Sequence, residues 1–219
     1  MSNLIEVRPL PLGPTSAAEV GPAMDAGGVG WNSMGCANWS GEYPYAPYAE
    51  FRIAHHSTDI LLDYRVGERH VRAMAECDGG RVWEDSCCEF FCSPTDDGTY
   101  YNIECNCAGV LLVGVGHDRH LREAAPAEVL RGISRWSSLG TGPFGTREAP
   151  ASWRLSLVIP VGTFFRHDIR QLSGHDFRAN FYKCGDRLPE PHFMSWRPVD
   201  SPRPDFHRPK SFGTLRFAQ

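Results

Sequence analysis

From Tyr101 to Cys107 the chain alternates without a break between apolar and polar residues: Tyr101, Asn102, Ile103, Glu104, Cys105, Asn106, Cys107. Successive side chains of a strand point to opposite faces. Asn102, Glu104 and Asn106 therefore share one face, and Tyr101, Ile103, Cys105 and Cys107 share the other. A helix would repeat every 3.6 residues, so this pattern commits the segment to a sheet. The stretch Glu84–Cys92 precedes it, and the turn Ser93-Pro94-Thr95-Asp96-Asp97-Gly98 joins the two. Proline presets one backbone angle there, aspartate bonds locally and glycine accepts a positive φ, as a tight connection requires.

The same period recurs along the chain. Phe51 and Ile53, then Ile60, Leu62, Tyr64 and Val66, then Val71, Ala73, Ala75 and Cys77 occupy alternate positions. Trp153, Leu155, Leu157 and Ile159 alternate with Arg154 and Ser156, and Phe177–Cys184 and Gly213–Phe217 read as further strands. Helical patterning is confined to a short segment around Pro126–Arg131 and a turn at Val161–Phe165. Short strands with regular turns and little helix predict an all-β fold, an antiparallel β-sandwich of jelly-roll or immunoglobulin-like type with long loops. Residues 1–30, rich in Pro, Gly and Ala, read as an N-terminal leader or strap, and 31–219 as a single domain. The stretch 137–150 reads as a long loop. The Pro-rich stretch 185–210 is expected to lie over the sheet, tied down by Phe193, Trp196, Phe206 and the adjoining Phe212.

Composition narrows the function. Of 219 residues, 42% are hydrophobic, enough for a substantial core. The formal charge is -4 and the 22 Lys and Arg form no basic run, which argues against a nucleic-acid partner. No apolar run approaches the roughly 20 residues of a membrane span. The first residues show neither the basic nor the apolar region of a secretory signal. The expected location is the cytoplasm, or the extracellular space if a leader precedes these residues. The eight cysteines are then expected as free thiols, and Cys87, Cys88, Cys92, Cys105 and Cys107 lack the paired C-x-x-C spacing of a zinc site. There is no nucleophile elbow, P-loop or dinucleotide fingerprint.

Asparagine is disfavoured in strands, so two of them flanking Glu104 call for a reason. Asp63, Arg65, Arg72, Glu76, Glu89, Asn102, Glu104, Asn106, Arg154, Ser156, Arg178, Asn180 and Tyr182 all occupy polar-face positions. If their strands neighbour one another, they form a surface of carboxylates, guanidiniums and amides. Such groups match sugar hydroxyls, each of which donates one hydrogen bond and accepts others. Aromatic rims supply flat surface for the apolar face of a sugar ring. Trp83 and Trp196, in polar loop-like surroundings, are the preferred platforms among Trp39, Trp83, Trp136 and Trp196, whereas Trp153 sits on an apolar strand face and reads as core. The competing readings are a solvated outer face, a glycoside hydrolase using Glu89 and Glu104, and a haem-binding or electron-transfer sandwich domain. The last would draw an axial pair from Met74, Met194, His55, His192 and His207.

Six segments carry a resemblance: Phe51–His55, Trp83–Phe91, Tyr100–Asn106, Asn180–Asp186, Pro191–Trp196 and Pro204–Gly213. In their order and spacing the chain resembles the family 9 carbohydrate-binding-module-like proteins, within a broader group of sugar- and haem-binding sandwiches. The resemblance covers residues 51–217. It implies a β-sandwich with a slot of aromatic walls and polar groups that binds a mono- or oligosaccharide without catalysis. It brings Trp83, Glu89, Asn102, Glu104, Asn180, Tyr182, His192 and Trp196 to recurrent motif positions, and the residue pattern adds Arg178. Modules of this kind can carry structural calcium, but no Asp-rich loop of calcium spacing is evident here.

Overall fold

The apolar halves of the alternating segments meet between two layers of sheet. The computed structural model describes residues 3–11, 13, 14 and 16–219. In chain order its strands begin with β1 (Leu4–Pro9), β2 (Asn32–Ser33), β3 (Cys36–Ala37), β4 (Tyr48–His56), β5 (Asp59–Gly67), β6 (His70–Ala73), β7 (Cys87–Ser93) and β8 (Tyr100–Asn106). They continue with β9 (Leu111–Gly116), β10 (Glu123–Ala124), β11 (Ser134–Ser137), β12 (Phe144–Glu148), β13 (Trp153–Pro160), β14 (Asp176–Cys184), β15 (Phe193–Ser195) and β16 (Gly213–Phe217). Two short helices accompany them, α1 (Val20–Ala26) and α2 (Ala127–Gly132). No helix among the described residues is long and apolar enough to cross a membrane.

One layer runs β10-β9-β8-β7-β14-β16 and the other β4-β5-β13-β11. Strand β1 joins them. Leu4–Val7 pair with β16 and Arg8–Pro9 with β4, both in parallel, while the pairings within each layer are antiparallel. The sandwich expected from the sequence is thus present, but its two layers are continuous through a parallel strand. That strand and α1 lie in the segment expected as a leader or strap. Met1, Ser2, Leu12 and Thr15 of that segment lie outside the described residues. The stretch 137–150 is also not all loop, because β12 within it pairs with β6.

Phe51, Ile53, Leu62 and Tyr64 from one layer face Phe90, Ile103, Cys105 and Phe181 from the other, and all are buried. Phe181 lies in the middle of this core, stacked on Phe51 across the layers at 3.6 Å between ring centroids and on Phe90 at 5.0 Å.

The polar positions divide between the two outer faces and do not form one surface. Asp63, Arg65, Arg154 and Ser156 lie on β5 and β13. Asp63 is fully buried there. It accepts from Arg52 Nε at 2.9 Å, Ser156 Oγ at 3.0 Å and the Arg154 guanidinium. Helix α1 covers this knot, since Arg52 also pairs with Asp25 at 2.6 Å and donates to the Gly21 carbonyl at 2.9 Å. The opposite outer face, on β7, β8, β9 and β14, carries Glu89, Asn102 and Glu104.

Phe181→Ala opens a cavity where both layers meet. It is expected to lower stability by about 3–5 kcal/mol, read as a shift in the urea unfolding midpoint with the slope unchanged.

Candidate functional site

The floor of a cleft of about 390 Å³ is the outer face of β7, β8, β9 and β14. Antiparallel register sets Glu89 directly opposite Glu104 and Phe91 opposite Asn102. The 3-10 turn Val82–Glu84 supplies Trp83 as one wall. Phe193 from β15 and the run Pro204-Asp205-Phe206-His207 supply another, and Arg119, Arg122 and Asp186 complete the rim.

The polar floor carries two hydrogen-bonded sets side by side. Glu89 Oε1 accepts from the Cys184 thiol at 3.0 Å. Glu104 Oε1 accepts from Asn102 Nδ2 at 2.8 Å, and Asn102 Oδ1 accepts from Arg122 at 2.6 Å. Arg122 also donates to the carbonyls of Tyr100 at 2.9 Å and Gly114 at 3.1 Å, with its guanidinium over the Tyr100 ring at 4.2 Å. Gly114 has to be small, because a Cβ there would come within 2.9 Å of Asn102 Oδ1. The second oxygen of Glu104 is buried and has no hydrogen-bond partner.

Burial dominates the electrostatics. It raises Glu89 well above the ordinary carboxyl range, with the neighbouring Glu104 pushing the same way. It raises Glu104 to about 7, against the opposing pull of the Asn102 hydrogen bond and the Arg122 charge. Two adjacent buried carboxyls resist ionising together, so the floor retains a proton near neutrality and can both donate and accept. Burial likewise raises Asp186 to about 6.

The model of carbohydrate-binding family 9 matches residues 18–217. The chain belongs to carbohydrate-binding family 9. A crystal structure of a candidate carbohydrate-binding protein from Bacteroides uniformis ATCC 8492 is 46% identical, with a TM-score of 0.94 over 98% of each chain. Two structures of a family 9 carbohydrate-binding module from Caldicellulosiruptor kristjanssonii, one in complex with glucose and one with cellotriose, are each 12% identical. Both have a TM-score of 0.62 and cover 98% of this chain, with 95% and 93% of theirs. At that identity they show the shared fold. No match is found among the curated proteins.

In this family 9 domain Trp83, Glu89, Asn102 and Glu104 meet in the cleft. Arg178, Asn180, Tyr182, His192 and Trp196, also expected in the sugar site, do not line it. Trp196 packs in the inter-sheet core against Phe51 and Phe181. Its ring fits only because residue 213 is glycine, where a Cβ would lie 2.5 Å away. Tyr182 is buried beneath the cleft wall, stacked under Phe206 at 4.1 Å and donating to the Phe206 carbonyl at 3.2 Å. Asn180 accepts from the Arg197 N–H at 2.9 Å and donates to its carbonyl at 3.1 Å. Arg178 donates to the Phe212 carbonyl. His192 is fully buried, with Nε2 at 2.7 Å from Lys183 Nζ beside Glu68. Strand β14 therefore uses its polar groups mainly to hold the Pro-rich segment down, and that segment supplies a wall. Trp39 fixes the same wall by donating to the Ser201 carbonyl at 2.6 Å, and Trp136 lies at the sheet edge on β11.

Arg119, Arg122, Asp186 and Asp205 are polar cleft residues that the strand pattern does not reveal, and His207, weighed in the sequence only as a haem ligand, joins them. The available signal was Asp118 after Gly116. Its carboxylate accepts from the N–H groups of His120 and Leu121 at 2.7 and 2.8 Å, a local turn that returns Arg122 to the sheet. His55, His192 and His207, weighed as haem ligands, lie in three separate hydrogen-bonded settings, with the Ala218 carbonyl, Lys183 and the Tyr100 hydroxyl. Among the described residues no carboxylate-rich set converges for calcium either. Among the described residues the one convergent group of three or more His, Cys, Asp or Glu is Cys87, Glu89 and Cys184, and thiols are soft ligands.

Burial pushes the pKa of His207 down from 6.5 to about 4. Between these values the unfolded chain binds a proton that the folded chain does not. Stability is therefore expected to fall on the order of 2 kcal/mol as pH drops through that window. His207→Gln removes this part of the acid dependence, read from urea midpoints across pH 4–7.

Proposed function

We propose that the chain is a non-catalytic carbohydrate-binding protein that holds a mono- or oligosaccharide in the cleft over β7, β8, β9 and β14. The observation that carries this reading is the pair of fixed hydrogen-bonded sets, Cys184–Glu89 and Glu104–Asn102–Arg122, at the base of aromatic walls formed by Trp83, Phe193 and Phe206. A sugar offers hydroxyls around its edge and C–H groups on its faces. Carboxyl, amide and guanidinium groups match the first and aromatic rings the second. A cleft of 390 Å³ falls in the range of small-ligand sites, about 300–1,000 Å³. The floor groups are held by one another before any ligand arrives, which lowers the entropy lost on binding. The relatives solved with glucose and cellotriose support the choice of sugar as the ligand class.

Glu89 and Glu104 issue side by side from the floor of the cleft. Glycoside hydrolysis needs two carboxyls flanking the scissile bond, so the pair is assigned to hydroxyl recognition.

Titration calorimetry with glucose and short gluco-oligosaccharides is expected to show saturable heat. Trp83→Ala and Asn102→Ala should each weaken it by roughly tenfold, in line with the loss of one stacking surface or one hydrogen-bonded group. Trp83→Ala should change the unfolding midpoint little, whereas Asn102→Ala, which leaves Glu104 and Arg122 short of a partner, should also lower stability by about 1–3 kcal/mol. Trp196→Ala is expected to act on stability instead. A glycan array and calorimetry that both remain silent at millimolar saccharide would overturn the reading.

A further inference from the structure

Cys88, Cys92, Cys105 and Cys107 fill the space between the layers, where a thiol serves as a small apolar group. Cys87 and Cys184 are placed differently. They lie directly opposite one another on β7 and β14, on the outer face, and Glu89 stands two positions along β7 on that same face. One donor atom from each of Cys87, Glu89 and Cys184 falls within 4.8 Å of the other two. All three residues are buried, both cysteines are free, and Cys184 and Glu89 line the cleft. A tetrahedral zinc ion with Zn–S near 2.3 Å and Zn–O of about 2.0–2.2 Å sets its ligand atoms about 3.6–3.8 Å apart. The separations in the trio bracket that spacing, with Cys184 Sγ 3.0 Å from Glu89 Oε1 and no two donor atoms more than 4.8 Å apart.

A second observation points to the same place. Glu104, opposite Glu89, has its Oε1 held by Asn102 while its Oε2 is buried with no hydrogen-bond partner. A water on a metal ion held by the trio would give that oxygen a donor.

We propose that Cys87, Glu89 and Cys184 form a three-ligand site for a thiophilic divalent cation of the zinc class, its fourth position open to the cleft. Two thiolates and one carboxylate select such an ion over calcium or magnesium, which take oxygen ligands. Binding releases the protons of the two thiols and of the Glu89 carboxyl to solvent and changes no oxidation state. The site sits at the base of the cleft, so an ion there would present its open position to whatever the cleft holds. It draws on Glu89 and Cys184, which also belong to the saccharide floor, but its test is read without any sugar, so either reading can fail alone.

The test is titration of the reduced chain with Co²⁺, followed by Zn²⁺. The expected result is one ion per chain, with intense thiolate-to-cobalt absorption in the near ultraviolet, visible bands of a tetrahedral ion, and displacement by Zn²⁺. Cys87→Ser and Cys184→Ser should each weaken binding roughly tenfold or more and remove most of the near-ultraviolet band. Glu89→Gln should weaken binding and keep that band, and Cys77→Ser, at an exposed thiol, should change nothing. X-ray absorption at the zinc edge of the wild-type chain needs no variant and should report two sulfurs at about 2.3 Å with lighter atoms at about 2.0–2.2 Å. Absence of stoichiometric binding, bands that survive both serine substitutions in folded protein, or a zinc shell without sulfur would each overturn the proposal.

Discussion

The buried carboxylate of Asp85 holds together the parts of the chain that make the cleft. It accepts from the backbone N–H groups of Met74 and Ala75 at 2.9 and 3.0 Å, from Arg72 Nε at 3.2 Å and from Asn106 Nδ2 at 2.9 Å. Asn106 Oδ1 in turn accepts from the N–H groups of Ala108 and Val110 at 3.1 and 2.9 Å. One ionisable group thus ties the end of β6, the turn bearing Trp83, the start of β7 and the bend between β8 and β9. A buried carboxylate is tolerable only with its lone pairs occupied, and four donors do that here. Asp63 does the equivalent on the other outer face, where Arg52, Arg154 and Ser156 surround it beneath α1.

These two knots change the meaning of a polar sheet face. Outward residues of an antiparallel sheet commonly meet water, yet both outer faces of this sandwich are covered in part. On one face α1 and Trp31 form the cover, with the Trp31 ring 4.4 Å from the Arg52 guanidinium carbon. On the other the cover is the Pro-rich segment after β14. Beyond that segment's one short strand β15, its backbone groups are satisfied by Asn180 and Tyr182, and Arg178 satisfies the carbonyl of the adjoining Phe212. What stays open between Trp83 and Phe206 is the cleft.

Within the cleft the decisive quantity is desolvation. Glu89 and Glu104 are each 3–4% exposed and lie next to one another, so the neutral carboxyl is favoured and the floor keeps a donor near neutral pH. Arg122, bound to Asn102 and to two carbonyls, polarises that floor without forming an ion pair with either glutamate. A surface of this kind discriminates by hydrogen-bond geometry more than by charge, which suits an uncharged polyhydroxylated ligand.

The sequence by itself determined the strands and their two faces. Tyr101, Ile103 and Cys105 point into the core while Asn102, Glu104 and Asn106 point out, because a pleated backbone allows no other arrangement. It also singled out Trp83, Glu89, Asn102 and Glu104, on or beside the two strands whose polarity is unusual, and these four line the cleft. It could not separate the groups that line the cleft from those that hold the fold. Asn102 and Asn180 look alike in the sequence, yet one lines the cleft and the other anchors the segment that walls it. Trp83 and Trp196 both sit in polar loops, yet Trp196 turns inward over Gly213. Those outcomes depend on which distant segment crosses which strand. That choice is fixed by long-range packing, such as Trp39 against Phe193 and Phe206, and periodicity carries no record of it. Only the tertiary structure decided which half of each polar face became a cleft and which became scaffolding.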